Sequence, residues 1–254
     1  MKIRSVLRIL GFIALLMGGV FLIPTAIAAI RKGGDLVPFA ASVLISVMIG
    51  GVLLLIGKKE EFGIRDGFAL VTGTWFFVAI LGAFPYWLSG VLPSYTDAFF
   101  EAMSGVTTTG ATVLRDVESL PDGLMFWRSF SQWLGGMGII LLTVALLPMF
   151  GVGGLQILSA ETPGPSFERL VPRIQETAML LWGVYVLLSV IEFLLLFVGG
   201  MPIFEAVLHT FSTMATGGFS PKNNSIAAYA SPYIQWVVIV FMFLAGTSFS
   251  LHFF

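Results

Sequence analysis

Two short stretches of this chain are rich in threonine and glycine. They are Val106-Thr107-Thr108-Thr109-Gly110-Ala111-Thr112 and Thr213-Met214-Ala215-Thr216-Gly217-Gly218-Phe219-Ser220. Such a run offers main-chain carbonyl oxygens, threonine hydroxyls and, at glycine, positive φ at little steric cost. Carbonyls aimed at one axis can replace the hydration shell of a monovalent cation. The chemistry on offer is ion coordination by Thr108, Thr109, Gly110 and Ala111 in one stretch and by Thr216, Gly217 and Gly218 in the other. Glycine-mediated helix packing is the competing reading. It accounts for Gly135, Gly136 and Gly138, but not for polar threonines ahead of a glycine in two places.

Each stretch follows a segment of helical composition that is too short to span. Ala98–Ser104 lies behind a Thr96 or Asp97 cap, and Pro202–Ser212 has proline at a favourable first-turn position. A short helix followed by a polar loop can enter a membrane and turn back. Non-helical backbone survives at that depth only where protein buries it or water lines it. The helix would point its C-terminal partial negative charge at the ion path. Both segments hold Phe-Glu-Ala (100–102 and 204–206) and Thr-Gly (109–110 and 216–217). Leu134-Gly135-Gly136 corresponds to Leu244-Ala245-Gly246. The pattern reads as a tandem repeat of helix, re-entrant loop and helix, with Gly110 paired to Gly217 and the second short helix the longer one.

The elements that must carry these loops follow from composition. Of 254 residues, 57% are hydrophobic and 11% charged, and the mean hydropathy is +0.97. An ordinary soluble domain carries about 25% charged residues. This chain cannot cover a globular surface with polar groups, which excludes a soluble enzyme and a disordered tail. A net charge of −1 provides no basic field for nucleic acid. With no cysteine, disulfides and thiolate metal sites are excluded too. Six apolar runs approach or exceed the ~20 residues a membrane helix needs: Ile9–Ile30, Leu36–Ile56, Phe68–Leu92, Leu124–Phe150, Thr177–Val198 and Tyr233–Phe254. They do not alternate as barrel strands do. Pro85 and Pro148 are expected to kink or end their helices. The first run resembles a secretory signal, but its apolar core outruns the usual ~7–15 residues, so it reads as a retained span.

With the N-terminus cytoplasmic, eight basic residues fall inside and five outside, a moderate positive-inside bias. Asp97, Glu101, Asp116, Glu118, Asp122 and Glu205 then lie towards the outside. They form either an acidic mouth that gathers cations or an ordinary solvated loop. Trp87, Trp127, Tyr95 and Tyr233 are expected at the outer interface. Glu192 sits mid-span, where a carboxylate is costly. It either has a function, such as a proton path or a partner contact, or packs in neutral form. Glu205 and His209 share a helix face at a metal-ligand spacing, but two ligands without a third argue instead for a polar face supporting the filter. Glu101 would support the first loop in the same way, and Arg128, four residues before Gln132, would bond loop carbonyls or an outer carboxylate. An embedded enzyme using Glu192, Glu205 and His209 lacks any nucleophile motif or paired catalytic carboxylates.

Five strings carry a family resemblance: FEAMSGVTTTGATVL (100–114), FWRSFSQWLGGMG (126–138), AETPGP (160–165), PRIQET (172–177) and MATGGFS (214–220). With these residues the chain resembles the Trk/Ktr/HKT superfamily of potassium transporters, most of all the bacterial TrkH/TrkG branch. The additional N-terminal pair of spans distinguishes it from shorter KtrB-like members.

The resemblance implies an all-α membrane protein. Residues 1–65 would form a two-helix hairpin, 66–150 the first pore repeat, 151–176 a cytoplasmic linker and 177–254 a second repeat cut short at its C-terminus. In the family, four such repeats surround one pore and each supplies a signature glycine, here Gly110 and Gly217. Glycine there goes with K⁺, so K⁺ uptake is implied, with the ion at Thr109, Gly110, Thr216 and Gly217. No organic cofactor is implied. The implied surroundings are the bacterial inner membrane and its lipid, a homodimer of the full-length protein, and a cytoplasmic nucleotide-binding regulatory subunit resembling TrkA; Arg169 and Arg173 read first as positive-inside anchors and otherwise as contacts for that subunit. Two repeats are half of a pore. The chain is therefore expected to be the N-terminal half of a longer protein, the alternative being a non-conducting subunit that needs a second chain.

Overall fold

The computed structural model describes residues 3–58, 64–146 and 170–247. Among these, every regular element is helical. A hairpin of α1 (Ile3–Arg31) and α2 (Leu36–Ile56) precedes two similar units. The first is α3 (Ile64–Leu88), the short α4 (Tyr95–Val106), a loop and α5 (Asp122–Leu146). The second is α6 (Leu170–Val198), the short α7 (Ile203–Met214), a loop with a 3₁₀ turn at Ser225–Ala228, and α8 (Pro232–Gly246).

Helices α1, α2, α3 and α6 are long and apolar enough to cross a membrane. Of the six expected spans, α5 is long but carries Arg128, Ser129, Ser131 and Gln132 in its first half, all buried. Helix α8 is described over 15 residues. The third span ends at Leu88 rather than Leu92, because Gly90 takes φ 75° and the chain turns. Pro85 does not end that helix. Residues 147–169, with Pro148, Arg169 and most of the expected linker, lie outside the described set, as does Phe254.

Two side chains pin the hairpin to the first unit. Asp35, fully buried in the α1–α2 turn, accepts a hydrogen bond from the Leu124 N–H at 2.8 Å and so caps α5 from another element. Arg31 pairs loosely with Asp122 at 3.5 Å, half exposed and of little energetic weight. These contacts put the α1–α2 turn and the start of α5 at one end of the bundle. The core beneath them centres on Trp127, whose ring meets Phe21 edge-on at 4.8 Å and whose Nε1–H donates to the Gly82 carbonyl at 3.1 Å. Trp127 is 1% exposed; it is a core residue and not the interfacial belt residue expected.

The two units join through α5. Phe130 and Trp133 pack on Phe211 of α7 with centroids 5.4 and 5.3 Å apart. Each such ring pair contributes about 0.5–1.5 kcal/mol beyond its buried area. Gly135 and Gly136 let α5 approach both short helices. A methyl on Gly135 would strike the Val106 carbonyl, and one on Gly136 would lie 3.0 Å from the Ala215 Cα.

Candidate functional site: two loops that meet

The short helices have equal length, 12 residues each. Helix α4 begins after Ser94, whose side chain, and not the expected Thr96 or Asp97, is the cap and accepts from the Asp97 N–H. Helix α7 begins after Pro202, whose fixed φ suits a helix start. Both end in the same way. The Thr107 and Ala215 N–H groups return to Met103 and Phe211, Thr108 and Thr216 to Gly105 and Thr213, and Thr109 and Gly217 to Ser104 and Ser212. Positive φ then falls at Thr108 (55°) and Thr216 (52°), and again at Gly110 (78°) and Gly218 (78°).

This register corrects the expected pairing. The backbone equivalent of Gly110 is Gly218, and Gly217 matches Thr109. The shared Phe-Glu-Ala strings point to a different register from the backbone, since Glu101 corresponds to His209 and not to Glu205. The expected extra length of the second helix is likewise absent.

The loops converge. A Cβ on Gly110 would collide with the Gly217 carbonyl oxygen, so only glycine fits there on both space and dihedral. Thr107, Thr109, Ala111, Thr112, Thr216 and Gly218 are exposed, whereas Gly217 and Phe219 are buried. The Thr107 hydroxyl donates to the Met103 carbonyl at 2.7 Å and lies 2.8 Å from the Thr109 hydroxyl.

A buried ion pair supports both loops. The Glu101 carboxylate, fully buried, accepts from Arg128 Nε at 2.8 Å, from the Thr112 hydroxyl at 2.9 Å and from the Val113 N–H at 3.0 Å. Arg128 also donates from Nη1 to the Ser220 carbonyl at 3.0 Å and lies over the Phe219 ring at 3.8 Å. Its charge is thus matched within the first unit while its donors reach the second. Gln132, also fully buried, donates to the Gly217 carbonyl at 2.9 Å and accepts from the Phe219 N–H at 3.2 Å.

At the outer edge of the second loop, Lys222 lies 3.1 Å from Glu205 and 3.9 Å from Glu118. Tyr229 donates to Glu205 at 2.6 Å and lies 3.2 Å from His209 Nε2. Glu205 and His209 are therefore joined through a phenol and face a lysine. Burial first, then the Glu205 hydrogen bond, push the Tyr229 phenol above its ordinary range. Asn223 ties the outer segments together, accepting from the Val117 N–H at 2.9 Å and donating to Asp116 at 2.8 Å. That bond holds the Asp116 carboxyl below its ordinary value. Glu192 lies against Thr213, the first residue of the second threonine–glycine stretch. It is fully buried in α6 with neither oxygen in hydrogen-bond geometry.

A family model described as the TrkH cation transport protein matches residues 37–254. The chain belongs to the TrkH family. It is 42% identical over 257 residues to the Trk system potassium uptake protein TrkH of Salmonella typhimurium, covering 100% of this chain and 53% of that protein. It is 36% identical over 253 residues to TrkG of Escherichia coli K12, covering 98% and 52%. The crystal structure of the potassium transporter TrkH from Vibrio parahaemolyticus matches with TM-score 0.87 and 36% identity, over 100% of this chain and 52% of that one. The chain spans about half the length of the curated relatives it matches. The TrkH family is a transporter family and not an enzymatic one. Its membership and the apolar helices make this a membrane protein.

Sequence reasoning named Glu101, Arg128 and the loop residues. It gave no role to Gln132, Thr112, Tyr229, Asn223 or Asp35. A glutamine four residues from an arginine inside an apolar helix was the available signal for Gln132.

Proposed function

We propose that this chain forms part of a K⁺-conducting path. Thr108, Thr109, Gly110 and Ala111 supply one filter strand, and Thr216, Gly217 and Gly218 supply another. K⁺ is held by backbone carbonyls beside the glycines, at Thr109 and Gly110 in the first strand and at Thr216 and Gly218 in the second, where Gly218 pairs with Gly110 and Gln132 takes the expected Gly217 carbonyl. Glu101 and Arg128 hold the strands in place, and Glu205 and His209 hold the outer wall of the second. Glu192 is retained as a candidate intramembrane functional group. The observation that carries this reading is the meeting of two non-helical loops with positive φ at the same two positions, each at the end of a short helix. Helix C-terminal ends aimed at such a point favour a cation. The names of the relatives, potassium uptake proteins, support K⁺ as the transported ion.

The setting proposed is the bacterial inner membrane, with the N-terminus cytoplasmic, a homodimer of the full-length protein, and a nucleotide-binding regulatory subunit like TrkA on the cytoplasmic face. The α1–α2 turn shares an end with the start of α5, where the positive-inside bias places the outside. Complementation tests the proposal. A bacterium stripped of its own K⁺ uptake and supplied with the full-length protein that carries this chain is expected to grow at low K⁺ and accumulate Rb⁺. Gly110→Arg is expected to abolish both, and unchanged uptake in that variant refutes the reading. The alternative of a non-conducting subunit completed by a second chain predicts uptake only when that second chain is co-expressed.

A further inference from the structure

Gln132 makes two hydrogen bonds to the second loop, one on each side of Gly218. Its amide N–H donates to the carbonyl of the residue before that glycine, and its amide oxygen accepts from the N–H of the residue after it. The space for this side chain exists because position 217 is glycine; a Cβ there would run into the amide carbon of Gln132. The first loop carries threonine at the matching position, Thr109. We infer that Gln132 is a positioning residue for ion discrimination, clamping the peptide planes around Gly218 so that the second strand keeps one spacing towards the ion. This rests on the proposed K⁺ path.

The second unit shows what the clamp adds. Aligning the starts of α5 (Asp122) and α8 (Pro232) sets Val238 opposite Arg128 and Met242 opposite Gln132. Neither has a side-chain group able to bond a peptide. Instead, a cavity of about 220 Å³ is lined by Val238, Met242, His209, Ser212, Thr216 and Phe219, among others. The Ser212 hydroxyl in its wall is buried and without a partner. In the first unit the corresponding region holds Arg128 and Gln132, both bonded onward to the neighbouring loop. The clamp therefore belongs to the seam between the two units and is not a general feature of the repeat.

A main-chain carbonyl and an N–H left unpaired after removal of a buried partner carry their full desolvation penalty, enough to let a soft loop adopt other spacings. The test substitution is Gln132→Met, the residue α8 itself carries at that register, which preserves helix propensity and length. Rb⁺ and Na⁺ uptake are measured in the complementation strain, with protein level in the membrane as control. Gln132→Met is expected to lower the Rb⁺-to-Na⁺ ratio roughly tenfold, while Gln132→Glu, which keeps the acceptor for the Phe219 N–H, falls between. A merely structural role would lower both fluxes together and leave the ratio unchanged, and that result overturns the inference. Hydrogen exchange on the purified protein decides the clamp without any transport. In Gln132→Met the peptide spanning 213–220 is expected to exchange roughly tenfold faster, with the peptide spanning 98–106 unchanged. Equal exchange of the 213–220 peptide in wild type and variant overturns it as well. A wild type that carries no Rb⁺ would refute the K⁺ path alone and leave the exchange arm decisive.

Discussion

Breaking the Glu101–Arg128 pair should be costly in a way that removing it whole is not. Glu101 is fully buried and Arg128 is 3% exposed. Glu101→Ala leaves a guanidinium with one carbonyl and one ring for company, and such an uncompensated buried charge costs about 3–5 kcal/mol. The Thr112 and Val113 bonds lost with it lie at a more exposed position and add about 0.5–1.5 kcal/mol each at most. Arg128→Met costs less, about 3 kcal/mol, because the orphaned carboxylate keeps Thr112 and Val113 as donors. The double variant carries no buried charge, so its cost should fall about 2–3 kcal/mol short of the sum of the singles. Reversible unfolding in mixed micelles, followed by tryptophan fluorescence over a rising detergent fraction, measures all three. Effects that add to within about 0.5 kcal/mol would refute the claim that these two charges share one buried site.

Gly110→Ala meets both a positive φ and the Gly217 carbonyl, whereas Gly218→Ala meets the same φ with open space at the Cβ. The second should cost about 1–2 kcal/mol from dihedral strain and the first clearly more, read from the same unfolding curves and from Rb⁺ uptake. Asp35→Ala removes the cap on Leu124 and should destabilise the protein by about 1 kcal/mol, with Asp35→Asn losing less. Asn223→Ala should raise the Asp116 pKa towards its ordinary 3.8, as read by carboxyl NMR titration. A carboxylate depressed in the folded state adds stability above its unfolded pKa and loses it as pH falls through the folded value. The variant should therefore show a weaker acid-side loss of order in the outer loops.

Hydropathy made most of the architecture legible. The run Leu36–Ile56 coincides with α2, and Val198 ends α6 as expected. The threonine–glycine loops were legible because a polar, backbone-rich segment between apolar spans must be buried in protein or line a watery path. The register of the second loop was not. Identical tripeptides outweighed the geometry of helix ends, which is set by where the last carbonyls find donors rather than by residue identity. Gln132 and Asp35 were hard to read for a related reason. Each acts on backbone groups, far along the chain, that carry no side-chain signature. The core position of Trp127 was hidden because its partners Phe21 and Gly82 lie on two other helices.

Arg128 also constrains how the protein can be made. An arginine released alone into a bilayer costs about 2.5–3.5 kcal/mol on insertion scales. Helix α4 is synthesised before α5, so the carboxylate that neutralises the guanidinium is already waiting when α5 leaves the ribosome. The carbonyl of Ser220 arrives only later, with the second unit. Membrane integration thus has a built-in order: the charge is silenced first within its own unit, and its leftover donor then recruits the next unit to dock.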